Sequence, residues 1–305
     1  MNYKEFFGCK YPIVVLAMNQ VSDVGLAIAV AKSGGFPSLS LFNYTENDRL
    51  DVESLDKDLD KFIIAIKNSS IICSMPSCWL SSNRSLVDVL IKHKISHFEL
   101  LVRPLNLRQR LDTYKILTEL KRAHLRGVLL KVPDLSENIS SHLEFIDAIV
   151  VKSVDGAGRS CNTGSTLDIL RQAADKYTDI MCIPCGGVYT KSQVDLLLAN
   201  GALAVGVGTP FALSEESCIP THTKHQMIQN NNLKNMQGVV DIVGVVNQNA
   251  IIFDKIDQPD DCNNTRSLKI GIATGQHGHV FAGSAIKSIT TIESVQKIMM
   301  RLTHD

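Results

Sequence analysis

Residues 183–211 read IPCGGVYTKSQVDLLLANGALAVGVGTPF, and this stretch decides the fold. It is a strand, a glycine turn, a helix, a second strand and a second glycine turn. Ile183-Pro184-Cys185 is an apolar strand end, and Gly186-Gly187 lets the backbone approach a ligand with no Cβ in the way. Thr190 caps a helix whose Val194, Leu197 and Leu198 share one face, and Asn200-Gly201 stops it. Residues 202–207 form a buried strand of small residues, with Gly208-Thr209 at its carboxyl end. Two consecutive βα turns rich in glycine N–H donors make a phosphate cradle, which in a (β/α)8 barrel follows strands seven and eight. Two ordinary glycine turns of an α/β protein are the competing reading of this stretch taken alone.

Upstream, apolar strands fall at 11–16, 39–41, 70–73, 97–102, 128–132 and 148–151. Helical patterns separate them. One is capped by Ser22 and ended by Gly34-Gly35, and another spans 51–67 with Leu55, Leu59, Phe62, Ile63 and Ile66 on one stripe. Others cover 86–93 and 108–122, and a short one is expected over 136–143. Ser165 and Asp168 have capping-box spacing for the helix that follows the turn at 152–160, KSVDGAGRS. Eight strands alternating with helices predict an α/β fold, a (β/α)8 TIM barrel. A doubly wound open sheet is the runner-up. Met18-Asn19-Gln20 after the first strand holds no glycine, which counts against it.

Beyond Phe211 the character changes. Residues 214–235 are polar, 238–253 are apolar without a clear period, and 257–265 are acidic and Asn-rich. The expected organisation is a barrel over 1–213, a smaller helical lobe over the barrel mouth at 214–284, and a C-terminal helix at 285–305 returning to the barrel. Its core face is Val295, Ile298 and Met299.

The 305 residues are 45% hydrophobic and 20% charged, with 31 basic and 31 acidic side chains, so the net charge is zero. That balance argues against a nucleic-acid or anionic-membrane surface. No apolar run reaches spanning length, and the start lacks a signal-peptide pattern. Eight cysteines in that context predict reduced thiols and a cytoplasmic protein. Cys182 and Cys185 flank a buried strand and read as core thiols, not as metal ligands. No metal site is predicted.

At this point the chain resembles the FMN-dependent nitronate monooxygenases, formerly called 2-nitropropane dioxygenases, which share their fold with flavin-type enoyl-acyl carrier protein reductases. Three blocks carry the likeness. Tyr11-Pro12-Ile13 with Ala17-Met18 is similar to the family's opening. Pro184-Cys185-Gly186-Gly187-Val188 with Gly201-Ala202 and Gly206-Val207-Gly208-Thr209-Pro210-Phe211 resembles its Ala-Gly-Gly-Ile…Gly-Ala…Gly-Thr-x-Phe. Phe281-Ala282-Gly283-Ser284 looks like its late Ala-Gly-Gln. The resemblance implies FMN, with its phosphate on Gly186, Gly187, Gly208 and Thr209 and its ring edge against Ala17, Met18 and Asn19. It adds Lys152, Asp155, Gly156 and Gly158 from the turn after strand six.

The departures are specific. The family's catalytic histidine aligns with Arg159, which cannot be a general base at neutral pH. The family's Gln before that turn aligns with Lys152, whose ammonium could stabilise a reduced, anionic flavin. The family's asparagine after strand three is not evident in Ser74-Met75-Pro76, and its final Gln aligns with Ser284. Arg159 and Lys152 are therefore the expected catalytic residues, with Arg159 clamping an anionic group. Cys161, His277, His279, His222, His225 and Trp79 are weaker candidates.

The expected activity is that of an FMN-dependent monooxygenase oxidising a small anionic substrate with oxygen. The alternatives are an NAD(P)H- and FMN-dependent enoyl-thioester reductase, or a flavin- or phosphate-ligand-binding barrel without turnover. The expected partner is a small-molecule substrate, with no nucleic acid and no membrane; a homodimer is left open.

Overall fold

The computed structural model describes residues 2–46, 49–68, 70–101, 107–132, 134–136, 139–140, 142–160, 164–230, 233–241, 244–253 and 265–304. The chain opens with α1 (Tyr3–Phe7), β1 (Ile13–Val15), α2 (Val24–Lys32) and β2 (Ser38–Ser40). A small hairpin, β3 (Thr45–Glu46) and β4 (Arg49–Leu50), precedes α3 (Val52–Ile66) and β5 (Ile72–Pro76). Then come α4 (Cys78–Ser82), α5 (Arg84–Lys92), β6 (His97–Leu101), α6 (Leu107–Ala123), β7 (Gly127–Val132) and β8 (Ala148–Lys152). After β9 (Gly158–Ser160) follow α7 (Thr166–Lys176), β10 (Met181–Cys185), α8 (Lys191–Ala199), β11 (Val205–Val207) and α9 (Thr209–Ala212). The last third holds α10 (Thr221–Gln229), β12 (Leu233–Asp241), β13 (Gly244–Ile252), α11 (Thr265–Thr274), β14 (His279–Phe281) and α12 (Val295–Thr303).

Eight strands pair in parallel in the order β1, β11, β10, β8, β7, β6, β5, β2. The two ends meet through a parallel bridge between Val14 and Phe36, with the Phe36 N–H on Ile13 O at 2.8 Å. The sheet is thus a nearly closed (β/α)8 TIM barrel, as the alternation predicts. The capping boxes at Thr190–Gln193 and Ser165–Asp168 both form. Ser22 does not cap α2; Asp23 does, accepting from the Leu26 N–H. The helix expected over 136–143 is not formed among the described residues, which lie in turns or without regular structure. Cys182 and Cys185 are buried core thiols.

Side chains alternate along each strand, as a pleat requires. Ile13 and Val15 of β1, Phe98 and Leu100 of β6, and Ile149 and Val151 of β8 face the surrounding helices. Val14, Ile72, Leu129, Ala148, Val150 and Ile183 face inward and fill the barrel, together with Phe6, Phe7 and Phe36. Helix α1 plugs the amino-terminal end. Phe7 lies 4.5 Å from Phe36 and Phe6 lies 5.0 Å from His97, centroid to centroid. A carbonyl can only accept, so the His97 Nε2–H donates to Phe6 O at 3.0 Å, and Nδ1 accepts from Ser96 Oγ at 2.8 Å.

After the barrel, the lobe carries helices α10 and α11 and also a four-stranded antiparallel sheet. β13 pairs with β12, with β14 and with β9, the last lent by the loop after β8. The register of β12 on β13 shifts between Met236 and Val239. A shift of one residue moves side chains to the opposite face, which hides the strand period in the sequence. Lys224 of α10 is buried and donates its ammonium to Ser217 O at 3.0 Å and to Ser214 O, tying the lobe to the end of α9. α12 buries Val295, Ile298, Met299 and Leu302 in the layer between barrel and helices, and Arg301 stacks on Tyr189 at 4.1 Å.

Burial pushes the His97 pKa down to about 3. Its unfolded value is about 6.5. Between those values the unfolded chain takes up a proton that the folded chain refuses, so the stability is full above the unfolded value and falls as the pH drops toward the folded one. His97→Asn should flatten that part of the urea-unfolding free energy plotted against pH. A variant with the wild-type slope would show that another group sets it.

Candidate active site

The inner face of the barrel changes chemistry at its carboxyl end. Below it is apolar; at the top, Ser74, Glu99, Lys131, Lys152 and Cys185 point inward from β5, β6, β7, β8 and β10 in the same alternation. Glu99 is 1% exposed, accepts from Ser74 Oγ at 2.7 Å and meets Lys131 Nζ at 3.2 Å. Lys152 is buried and its ammonium donates to Ala157 O at 2.8 Å. Burial pushes the Cys185 thiol up to about 11, against the opposing fields of Lys131 and Lys152. Lys131, Lys152 and Cys185 of this layer form the floor of a cavity of about 250 Å³.

The walls are the turns that leave the last strands and the first. Ala17, Met18 and Asn19 leave β1; Asp155, Gly156, Ala157 and Gly158 follow β8; Gly186 and Gly187 follow β10; Gly208 and Thr209 follow β11. Lys152 and all ten other residues expected to bind the cofactor therefore line one cavity. The β1 turn is locked by Ser22, which accepts from the Met18 N–H at 2.8 Å and donates to Leu16 O at 3.1 Å.

The other turns interlock. Thr166 donates to Gly186 O at 2.6 Å, so its hydroxyl must accept from Ser153 Oγ, 2.8 Å away. Ser153 in turn accepts from the Asp155 N–H at 3.2 Å. A Cβ on Gly186, at φ +129°, would stand 2.3 Å from Ser153 Oγ; one on Gly187, at φ +67°, would stand 2.6 Å from Ser284 Oγ. Neighbouring loops thus require glycine at both positions, a different reason from ligand approach alone. Gly208 differs, because a Cβ there would meet only Met18 Sδ at 3.5 Å.

Arg159 is paired through β9 with Gln248 of β13; its side chain lies outside what is described. Cys161 lies outside the described residues. His279 is wholly buried against Ser267 and Phe281, with its pKa pushed down to about 4 by burial. Its strand neighbours Val280 and Phe281 line the cavity, and His279 does not. His277, His222 and His225 are exposed. Trp79 packs on Phe42 at 5.2 Å, away from the cavity. The sequence reading missed Ser153, Thr166, Glu99 and Lys131. The last two had a signal: a charge inside an apolar strand, HFELL and GVLLKV.

Residues 117–305 match the family model described as nitronate monooxygenase. The chain belongs to the nitronate monooxygenase family. That membership supports a flavin-type oxidoreductase. A curated relative from Rhodococcus jostii RHA1, named (3aS,4S,5R,7aS)-5-hydroxy-7a-methyl-1-oxo-octahydro-1H-indene-4-carboxyl-CoA dehydrogenase, is 24% identical over 231 residues. The match covers 73% of this chain and 58% of that one, so the chain spans little more than half the relative's length. FabK from Thermotoga maritima is similar in structure, with TM-score 0.77 and 18% identity over 98% of this chain and 93% of its own. Nitroalkane oxidase from Streptomyces ansochromogenes gives TM-score 0.75 and 16% identity, covering 98% and 96%. At these identities the structural likeness is one of fold. Among the described residues, no helix of this family member is long and apolar enough to cross a membrane.

The Glu99–Lys131 pair invites a stability test. Lys131→Met would leave a buried carboxylate without its cation, at a cost of about 3–5 kcal/mol. Adding Glu99→Gln should recover most of that loss in urea unfolding. A single variant within about 1 kcal/mol of wild type would mean that solvent already screens the pair.

Proposed function

We propose that the cavity binds FMN and that the protein is an FMN-dependent monooxygenase oxidising a small anionic substrate, with oxygen as acceptor. One observation carries the reading: every cofactor residue inferred from glycine placement and family likeness lines a single cavity whose floor holds two lysines. The residues fit the group. Around Gly208 the space a side chain would fill is open except for Met18 Sδ. The turns at Gly186-Gly187 and Gly208-Thr209 would offer backbone N–H groups to the phosphate, and Ala17-Met18 would flank the ring. When bound, FMN supplies a two-electron carrier; the chain supplies binding, orientation and field.

Lys152 and Lys131 favour negative charge at the cavity floor. Asp155, Gly156 and Gly158 shape the wall over it. Arg159 is proposed to hold the substrate anion with its fork of donors. Because an arginine keeps its proton, the enzyme should take preformed anions such as nitronates and be poor on neutral nitroalkanes. A second reading, reduction of an unsaturated thioester, is favoured by the apolar lobe wall of Leu268, Val280 and Phe281 and by the acyl-CoA relative. Anaerobic reduction by NADPH followed by an enoyl-thioester would support that reading. A protein that binds flavin but is never reduced would be a binding barrel.

The cofactor is tested by the absorption spectrum of the purified protein and the mass of the released group. Gly208→Val adds bulk where only Met18 stands nearby, so it should lose FMN while keeping a cooperative thermal transition. Full flavin occupancy in that variant would move the phosphate elsewhere. For the clamp, Arg159→Lys should bind nitronates about ten- to a hundredfold more weakly, read from the shift of the flavin band. Equal dissociation constants in wild type and variant would remove Arg159 from the site.

A further inference from the structure

The lobe lines part of the cavity through Leu268, Val280 and Phe281, and it also grips the loop that forms another wall. Asn249 of β13 is 3% exposed and lines no part of the cavity. Its side-chain amide donates to Val154 O at 2.5 Å and to Gly156 O at 2.8 Å, two carbonyls of the loop after β8. Its backbone stands opposite Gly158 in the β9–β13 ladder. The same loop is held from a second lobe segment, where the Ser284 N–H donates to Asp155 O at 2.9 Å. One residue earlier, the Gly283 N–H donates to Thr209 Oγ1 at 2.9 Å, on the turn after β11. A Cβ on Gly283 would stand 2.4 Å from Asp155 O, so lobe and loop are in backbone contact.

We infer that Asn249 is a positioning residue for the ligand site. The lobe fixes the 153–158 loop through it, and affinity at the cavity depends on a side chain that touches no ligand. The chemistry is specific to a carboxamide. Among neutral side chains of this size, a carboxamide is the one whose NH2 can donate to two carbonyls at once. An isosteric carboxylate would set oxygen against oxygen at both contacts. The reciprocal consequence is that a ligand in the cavity tightens the lobe, since coupling between two sites acts in both directions. The FMN arm of the test rests on the proposed function; the exchange arm does not.

The probes are FMN titration of the apoprotein, followed by flavin fluorescence, and amide hydrogen exchange of the apoprotein. Wild type is compared with Asn249→Ala and Asn249→Asp. Loss of two hydrogen bonds at the loop should weaken FMN binding about ten- to a hundredfold in both variants, with Asp no better than Ala. Exchange should speed up at residues 153–158 and in β9, with β5, β6 and β7 unchanged. An Asp variant with wild-type affinity and exchange would reduce Asn249 to a space filler and overturn the inference. Uniformly faster exchange through the barrel would also overturn it, as a general loss of stability. Should wild type bind no FMN, the proposed cofactor falls, and the exchange comparison alone decides the role of Asn249.

Discussion

A short chain of hydroxyl hydrogen bonds holds the rim of this barrel in shape. Ser153 donates to Thr166, Thr166 donates to Gly186 O, and Ser153 accepts from the Asp155 N–H. The Thr166 bond crosses from the loop after β8 to the turn after β10, and the other two brace the loop after β8 from within. The turns after β8 and β10 have backbone groups that no ladder satisfies, and buried groups of that kind are costly unless paired. With Ser153 fully buried, the hydroxyls satisfy both turns at once and leave room for no side chain at Gly186. The cavity wall is a by-product of this requirement. Where loops must satisfy one another tightly, they leave a concave, glycine-lined surface beside them.

The barrel interior follows a second constraint. Parallel strands put every carboxyl end on one side, so the topmost inward residues of β7, β8 and β10 border the cavity and not the core. Lys131 and Lys152 occupy such positions, with Glu99 beside Lys131, while one pleat lower stand Leu129 and Val150. Charge in the lower layer would be unsolvated and unpaired. At the top it is partnered, Lys131 with Glu99 and Lys152 with Ala157 O, and it faces a space where negative charge would be welcome. The neutral, buried His97 at the opposite end shows the other outcome, an imidazole held uncharged by burial.

The lobe and the barrel share a strand. β9 belongs by sequence to a barrel loop and by pairing to the lobe sheet. Three of the departures from the family resemblance lie at this junction: Lys152 before the turn, Arg159 within β9, and Ser284 on the lobe segment that returns to Asp155; the fourth, at Ser74-Met75-Pro76, lies on β5.

Local pattern was enough for much of this. The period of 183–211, the cap at Thr190, the capping-box spacing at Ser165, and the glycine pairs made the barrel and its rim turns legible, because those signals are short-range and physical. Lys152 was legible too, as a charge ending the apolar run AIVVK. Other features depended on residues far apart in the chain. Asp23 displaced Ser22 as a cap because Ser22 was taken by the β1 turn. The lobe sheet was hidden by its register shift. Glu99 and Lys131 gained meaning only when β6 and β7 stood side by side. Ser153 and Thr166 are ordinary loop hydroxyls until the barrel brings Gly186 beside them, and Asn249 is one more polar residue until β9 crosses over to meet it. Short-range pattern was sufficient to mark the barrel's eight strands and its glycine turns. Tertiary structure decided which polar groups meet, because hydrogen bonds between distant segments leave no periodic trace in the chain.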